Sequence, residues 1–142
     1  PRRGFEFVTR KITSTVAKIS LGLDDKLELG NLDAKRDWGY SPEYVDAMWR
    51  MLNHAKADDY VIATGVLHTV RKFAEVAFSV VSLKYQDYVI SNPLYFRPEE
   101  EIPLVGDYSK ALSVLGWKPR KKFEEMVEEM VLSDIELLKR KE

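Results

Sequence analysis

An α/β fold is predicted by three features of the chain. Five segments carry apolar residues at helical spacing, short apolar runs lie between them, and glycine, proline or a capping residue separates the pieces. The first helix is predicted from about residue 7 to residue 21, on Val8, Ile12, Val16 and Ile19, and Gly22 ends it. Lys26 to Leu29 reads as a short strand entering a turn at Gly30, and Arg36-Asp37-Trp38 as an extended piece. Ser41-Pro42-Glu43 supplies a cap, a first-turn proline and a first-turn acid for a second helix, with Tyr44, Val45, Met48, Trp49 and Leu52 as its apolar face. Tyr60 to Thr64 is an almost continuous apolar run closed by Gly65, the pattern of a strand covered on both faces.

Thr69 is placed to cap a third helix whose inward face is Val70, Phe73, Ala74, Ala77, Phe78 and Val81. Asp87 to Ile90 and Leu94 to Phe96 read as short extended pieces around Asn92-Pro93. Asp107 is predicted to cap a fourth helix through Leu115, stopped by Gly116 and Pro119. The last helix is predicted from about residue 123 to residue 139, on Phe123, Met126, Val127, Met130, Val131, Ile135 and Leu138. Its glutamates come early and its lysines late, the order that complements the helix dipole, so this charge run is a solvated face.

At 142 residues the chain is one domain's worth of sequence, enough to bury about 70% of its unfolded surface. With 45% hydrophobic and 32% charged residues and a formal net charge of −1, the composition gives no electrostatic case for nucleic acid. No apolar run approaches the ~20 residues that span a bilayer. Cysteine is absent, which removes disulfides, thiolate metal sites and cysteine nucleophiles. His54 and His68 are too few for a histidine-rich zinc site and read as surface or partly buried residues. The cytoplasm is the expected compartment. The sequence opens at Pro1-Arg2-Arg3-Gly4 without an initiator methionine, and a fragment is expected.

Chemistry concentrates in two loop-rich places. Gly30 to Gly39 sets Arg36 beside Asp37 and Trp38 between turn-forming glycines, and Tyr95-Phe96-Arg97-Pro98 restrains a second arginine. Guanidinium groups bind phosphate through paired charge-assisted bonds when the backbone holds them in place. Spacing alone favours the plainer alternative, in which Arg36 pairs with Asp37 or another carboxylate and Arg97 with Glu99 or Glu100. Lys11 alone reads as a solvated helical charge, and Trp38, Trp49 and Trp117 as core or rim residues. No glycine-rich dinucleotide turn follows any strand, and no tyrosine has a lysine four residues later.

These residues resemble a known family. Phe7 to Thr13, Gly30 to Gly39, Tyr44 to Trp49, Tyr60 to Gly65, Tyr95 to Glu100 and Leu115 to Pro119 match, in order, the C-terminal portion of the GDP-mannose 4,6-dehydratases, which are extended short-chain dehydrogenases/reductases. The resemblance covers essentially all 142 residues, and Asn31-Leu32-Asp33-Ala34-Lys35-Arg36-Asp37-Trp38 is its most specific motif. Val66 and Leu67 depart from the family pattern, and Tyr85 to Asn92 fits it less well.

The resemblance implies that this chain is the mostly helical, C-terminal GDP-sugar-binding part, residues 1–142, of an enzyme whose N-terminal NADP-binding Rossmann domain is largely absent. It implies conversion of GDP-mannose to GDP-4-dehydro-6-deoxy-mannose, with NADP as cofactor and the catalytic groups upstream. Residue by residue, Arg3 matches an arginine at the cofactor site. Lys11 and Arg36 match positions on the GDP phosphates, Arg97 an arginine reaching the nucleotide, and Glu100 its companion acid toward the ribose. The implied partners are GDP-mannose, the chain's own Rossmann domain and further copies in a homodimer or homotetramer, with no nucleic acid and no membrane. The isolated piece is expected to be inactive. A non-catalytic GDP-sugar-binding fragment or a related GDP-deoxysugar reductase remain as alternatives.

Overall fold

The computed structural model describes residues 1–96 and 104–140. Its elements run α1 (Val8–Ser20), β1 (Leu27–Leu29), β2 (Lys35–Arg36), α2 (Ser41–Leu52), β3 (His68–Thr69), α3 (Val70–Val80), β4 (Val89–Ser91), α4 (Ser109–Leu115) and α5 (Phe123–Lys139). Short 3-10 turns occupy Tyr85–Asp87 and Pro93–Tyr95. The described residues divide into two compact units, one built from residues 1–34, 69–96 and 124–140, the other from residues 35–68 and 104–123.

The first unit is organised by three helices and a small sheet. α1 buries the stripe Ile12, Val16, Ala17 and Ile19, and packs on α3 and β1. α3 buries Phe73 and Phe78 completely, and burying each such side chain contributes about 1.5–3 kcal/mol. Thr69 caps α3 as its sequence predicts, accepting the Lys72 N–H at 3.0 Å. β1 and β4 pair in parallel, Leu27 opposite Val89 and Leu29 opposite Ser91. α5 turns Met126, Val127, Met130 and Val131 inward, as their spacing predicts. α1 stops at Gly22, whose φ of +72° is the left-handed conformation glycine adopts without strain.

The second unit has a smaller core around Ala47, Ala111 and Trp117, with Tyr44, Tyr60, Ile62 and Tyr108 packed against it. α2 packs on α4. The Trp117 indole N–H donates to the Glu43 carbonyl at 2.8 Å, and its ring meets Tyr44 and Tyr108 edge-on. α4 ends at Gly116 in the left-handed conformation, as predicted.

Several sequence expectations are corrected. Ser41 is the first helical residue of α2. Tyr40 stands at the cap position and makes no side-chain cap bond, so Pro42 and the first-turn acid carry the start. Of the apolar face of α2, Tyr44 packs against the Trp117 core, whereas Trp49 is 63% and Leu52 86% exposed, and Val45 and Met48 are exposed too. Tyr60 to Thr64 is not a strand, because no described strand pairs with it; only Ala63 is buried there. Of Arg36 to Trp38, only Arg36 lies in a strand, β2, which pairs with β3. Leu94 and Tyr95 form a 3-10 turn because Pro93 starts it and the Asn92 side chain accepts the Leu94 N–H. Asp107 accepts the Ser109 N–H, but one position before the cap of α4, which is Tyr108. No helix among the described residues is long and apolar enough to cross a membrane.

Candidate functional site

Within the first unit, the parallel sheet brings Gly30 to the Tyr95 turn. β1 delivers the chain to Gly30, and β4 delivers it to Asn92. The Asn92 N–H donates to the Leu29 carbonyl at 2.7 Å, its side-chain amide donates to Glu28 at 3.0 Å, and the Ser91 hydroxyl donates to the Gly30 carbonyl at 3.2 Å. The Tyr95 backbone then lies so close to Gly30 that an added Cβ would collide with the Tyr95 carbonyl. That close approach explains the glycine.

Lys11 joins this corner from α1. Its ammonium sits 4.2 Å from the centre of the Tyr95 ring, a cation–π contact that directs the lysine toward the Tyr95 segment. Arg97 and Glu100, two and five residues further along, lie outside the described residues. Arg3 belongs to the same unit, in the segment before α1, with its guanidinium 4.3 Å from the centre of the Phe7 ring.

Arg36 lies in the second unit, exposed on β2, and its guanidinium donates to the Lys35 carbonyl at 2.7 Å. Its neighbour Asp37 is the hub of that unit's loops. The Asp37 carboxylate accepts the Thr64 N–H at 3.0 Å and the Thr64 hydroxyl, the Gly65 N–H at 2.9 Å and the Gly106 N–H at 3.3 Å. Partial burial pushes the Asp37 carboxyl up, but the Thr64 side-chain bond and the Thr64, Gly65 and Gly106 N–H groups outweigh it, and the net direction is below the ordinary value. Asp37 thus fixes the main chain next to Arg36. On the other side, Gly39 gives room to the Tyr44 ring, whose hydroxyl occupies the space a Cβ would take. Trp38 stacks on Phe123, and so does His68, at 3.8 Å between ring centres. These residues are rim packing, as expected for Trp38.

Taken singly, each side chain has chemistry suited to an anion: Arg36 carries a planar fork of donors on an anchored backbone, and Lys11 on the Tyr95 ring carries a point charge. Among the described residues no group of three or more His, Asp or Glu side chains could hold a metal ion. A pocket of about 300 Å³ in the second unit lies elsewhere, lined by Pro42, Glu43, Asp46, Arg50, Trp117 and Arg120. Its polar groups serve the fold. Glu43 accepts the Arg120 and Lys121 N–H groups, and Arg50 donates to the Leu115 and Gly116 carbonyls at the end of α4.

Sequence reasoning missed Asp37 as an anchor and also missed a buried cluster of Arg10, Thr13 and Asp134 in the first unit. A usable signal existed for the cluster. Thr13 and Asp134 stand on helical stripes otherwise filled by Ile12, Val16, Met130 and Val131, and a polar residue at an inward position implies a partner.

The chain is 54% identical over 140 residues to GDP-mannose 4,6 dehydratase 2 of Arabidopsis thaliana, an alignment covering 99% of this chain and 38% of that protein. It is 45% identical over 156 residues to the GDP-mannose 4,6 dehydratase of Homo sapiens, covering 98% of this chain and 42% of that protein. The chain therefore spans about two fifths of the length of these relatives. Among solved structures, RMD from Pseudomonas aeruginosa complexed with NADPH matches with a TM-score of 0.87 at 20% identity, over 96% of this chain and 45% of that one. The dTDP-glucose 4,6-dehydratase from Bacillus anthracis in complex with NAD matches with a TM-score of 0.74 at 18% identity, over 93% of this chain and 40% of that one. The chain shares its fold with a part of each of these two nucleotide-cofactor-bound proteins. The sequence pattern of the GDP-mannose 4,6 dehydratase family matches residues 1–130, a span holding the Gly30 corner, Lys11, Arg36 and the Asp37 anchor, and the chain belongs to that family.

Proposed function

We propose that this chain is the GDP-sugar-binding part of a GDP-mannose 4,6-dehydratase, a lyase with internal redox through NADP. The observation that carries this reading is the family match over residues 1–130 together with an Arg36 whose backbone Asp37 anchors. The complete enzyme oxidises the C4 hydroxyl of the mannose, eliminates the C6 hydroxyl with the C5 proton as water, and reduces C6 to a methyl group. Bound NADP supplies the chemistry of taking up the C4 hydride and returning it to C6.

In this reading Lys11, Arg36 and Arg97 hold the diphosphate and Glu100 orients the ribose. Arg3 faces the cofactor: it is an exposed cation fixed by Phe7 in an otherwise irregular segment, which suits a phosphate group of NADP. Proton transfer and hydride transfer belong to groups outside this chain, so the piece alone is inactive. The exposed apolar residues Val45, Met48, Trp49 and Leu52 of α2, with Val61, fit a surface that packs on the rest of the enzyme, including its N-terminal Rossmann domain. The complete enzyme assembles as a homodimer or homotetramer in the cytoplasm.

Calorimetric titration of the complete enzyme with GDP-mannose tests the diphosphate assignment. Arg36→Ala and Arg97→Ala should each weaken binding by ~1.5–3 kcal/mol, the worth of a hydrogen bond to a charged group. Unchanged affinity in both variants overturns the assignment.

A further inference from the structure

The first unit holds one cluster that the diphosphate site does not use. Arg10 on α1 and Asp134 on α5 form an ion pair with side chains only 6% and 2% exposed. The pairing is two-pronged at a single oxygen: Arg10 Nη2 lies 2.7 Å from Asp134 Oδ1, and Nε donates to the same atom at 2.9 Å. Thr13, one turn along α1, donates its hydroxyl to Asp134 Oδ2 at 2.7 Å. Both carboxylate oxygens are therefore engaged, and the pair is fixed in one orientation.

That fixation has a direction. The remaining Arg10 nitrogen, Nη1, donates to the Arg3 carbonyl at 3.1 Å, while the guanidinium carbon lies 4.6 Å from the centre of the Phe5 ring. Residues 1–7 form no helix or strand, so no regular backbone ladder sets the position of Arg3. It is held instead from two sides: its carbonyl by Arg10 and its guanidinium by Phe7, at 4.3 Å.

A buried ion pair is a poor way to join two helices, since well-packed apolar residues of similar volume usually serve as well or better. What an apolar pair could not do is hold a carbonyl outside the helix interface. A lysine at position 10 could neutralise Asp134, but one ammonium cannot fork between the carboxylate and a second acceptor as a planar guanidinium does. The choice of arginine fits the bridge, not merely the pair.

We propose that Arg10, oriented by Asp134 and Thr13, is a positioning residue that holds the Arg3 main chain so that the Arg3 guanidinium meets the cofactor. The inference rests on the reading of Arg3 as a cofactor-binding residue. It assigns the buried cluster a role in NADP affinity, distinct from the GDP affinity assigned to Lys11, Arg36 and Arg97.

The test uses the complete enzyme carrying Arg3→Ala, Arg10→Lys, or both, with NADPH binding followed by fluorescence, GDP binding by calorimetry, and a thermal melt of each variant. Arg10→Lys keeps the buried charge balanced, which protects folding. It should raise the NADPH dissociation constant about fivefold, the effect of losing one net hydrogen bond, with GDP affinity unchanged. The double variant should bind NADPH no more weakly than Arg3→Ala alone, because the bridge acts only through Arg3. If Arg3→Ala weakens NADPH binding but Arg10→Lys does not, or if the two losses add in full, the positioning role is overturned and the Arg3 assignment stands. If Arg3→Ala leaves NADPH affinity unchanged, the assignment itself fails and the positioning role with it.

Discussion

Replacing Asp37 by asparagine would separate its shape from its charge at the centre of the second unit. In the wild type, Oδ1 takes the Thr64 N–H and hydroxyl, and Oδ2 takes the Gly65 N–H at 2.9 Å and the Gly106 N–H at 3.3 Å. Asparagine keeps one acceptor oxygen and turns the other into an NH2 group. In one orientation that group faces the Gly65 and Gly106 donors, and in the other it faces Thr64. Either way, at least one short bond to a charged acceptor is lost. Such a bond contributes ~1.5–3 kcal/mol; the half-exposed setting lets water replace part of it, so a loss of ~2 kcal/mol is expected, about a 30-fold change in the local opening equilibrium. Peptide-resolved hydrogen exchange on the complete enzyme reads this directly over residues 60–66 and 104–108. The sign with pH follows from the lowered Asp37 value. A carboxyl whose folded-state pKa is depressed contributes stability that is fully present above its unfolded value and lost as pH falls through the folded one. The gap between wild type and Asp37→Asn should therefore be widest near neutrality and close toward strong acid. Wild-type exchange at Thr64, Gly65 and Gly106 together in the variant at pH 7 would refute the anchor.

Two further substitutions probe the scaffold around the site. Gly30→Ala should displace the Tyr95 turn, because the new Cβ meets a backbone carbonyl, 2.8 Å from its carbon, that no rotamer change can move; a lowered melting temperature with weaker GDP binding is expected, and an unaltered GDP isotherm would argue against the Gly30–Tyr95–Lys11 corner. Trp117→Phe removes the indole donor to the Glu43 carbonyl while keeping most of the ring burial, so a loss of ~1 kcal/mol in urea unfolding is expected, with GDP affinity intact.

Local signals carried much of the fold. α1, α3 and α5 were legible because each buries a stripe at helical spacing, and Thr69, Gly22 and Gly116 act through their immediate neighbours. The failures share a cause. Whether Tyr60 to Thr64 becomes a strand depends on a partner, and no described strand supplies one; whether the apolar side of α2 is core depends on what covers it. A run of apolar residues specifies burial, not the neighbour that provides it.

The candidate site divides along the same line. Residue type gave Arg36 as a plausible anion ligand, whereas Lys11 read as a solvated charge until the family resemblance; spacing favoured pairing of Arg36 with Asp37 or another carboxylate, and it gave Asp37 no other work. The Asp37 carboxylate is in fact taken up by Thr64, Gly65 and Gly106, which are 27, 28 and 69 residues away. Arg10 and Asp134 are 124 residues apart. Ligand side chains advertise themselves by charge and by the glycines and prolines beside them, whereas the residues that aim them are recognised only when distant parts of the chain meet. A charged residue adjacent to a candidate ligand is thus weak evidence for neutralising it. When the fold supplies backbone N–H donors, as it does for Asp37, the carboxylate fixes the main chain beside the arginine, a role its sequence neighbours do not announce.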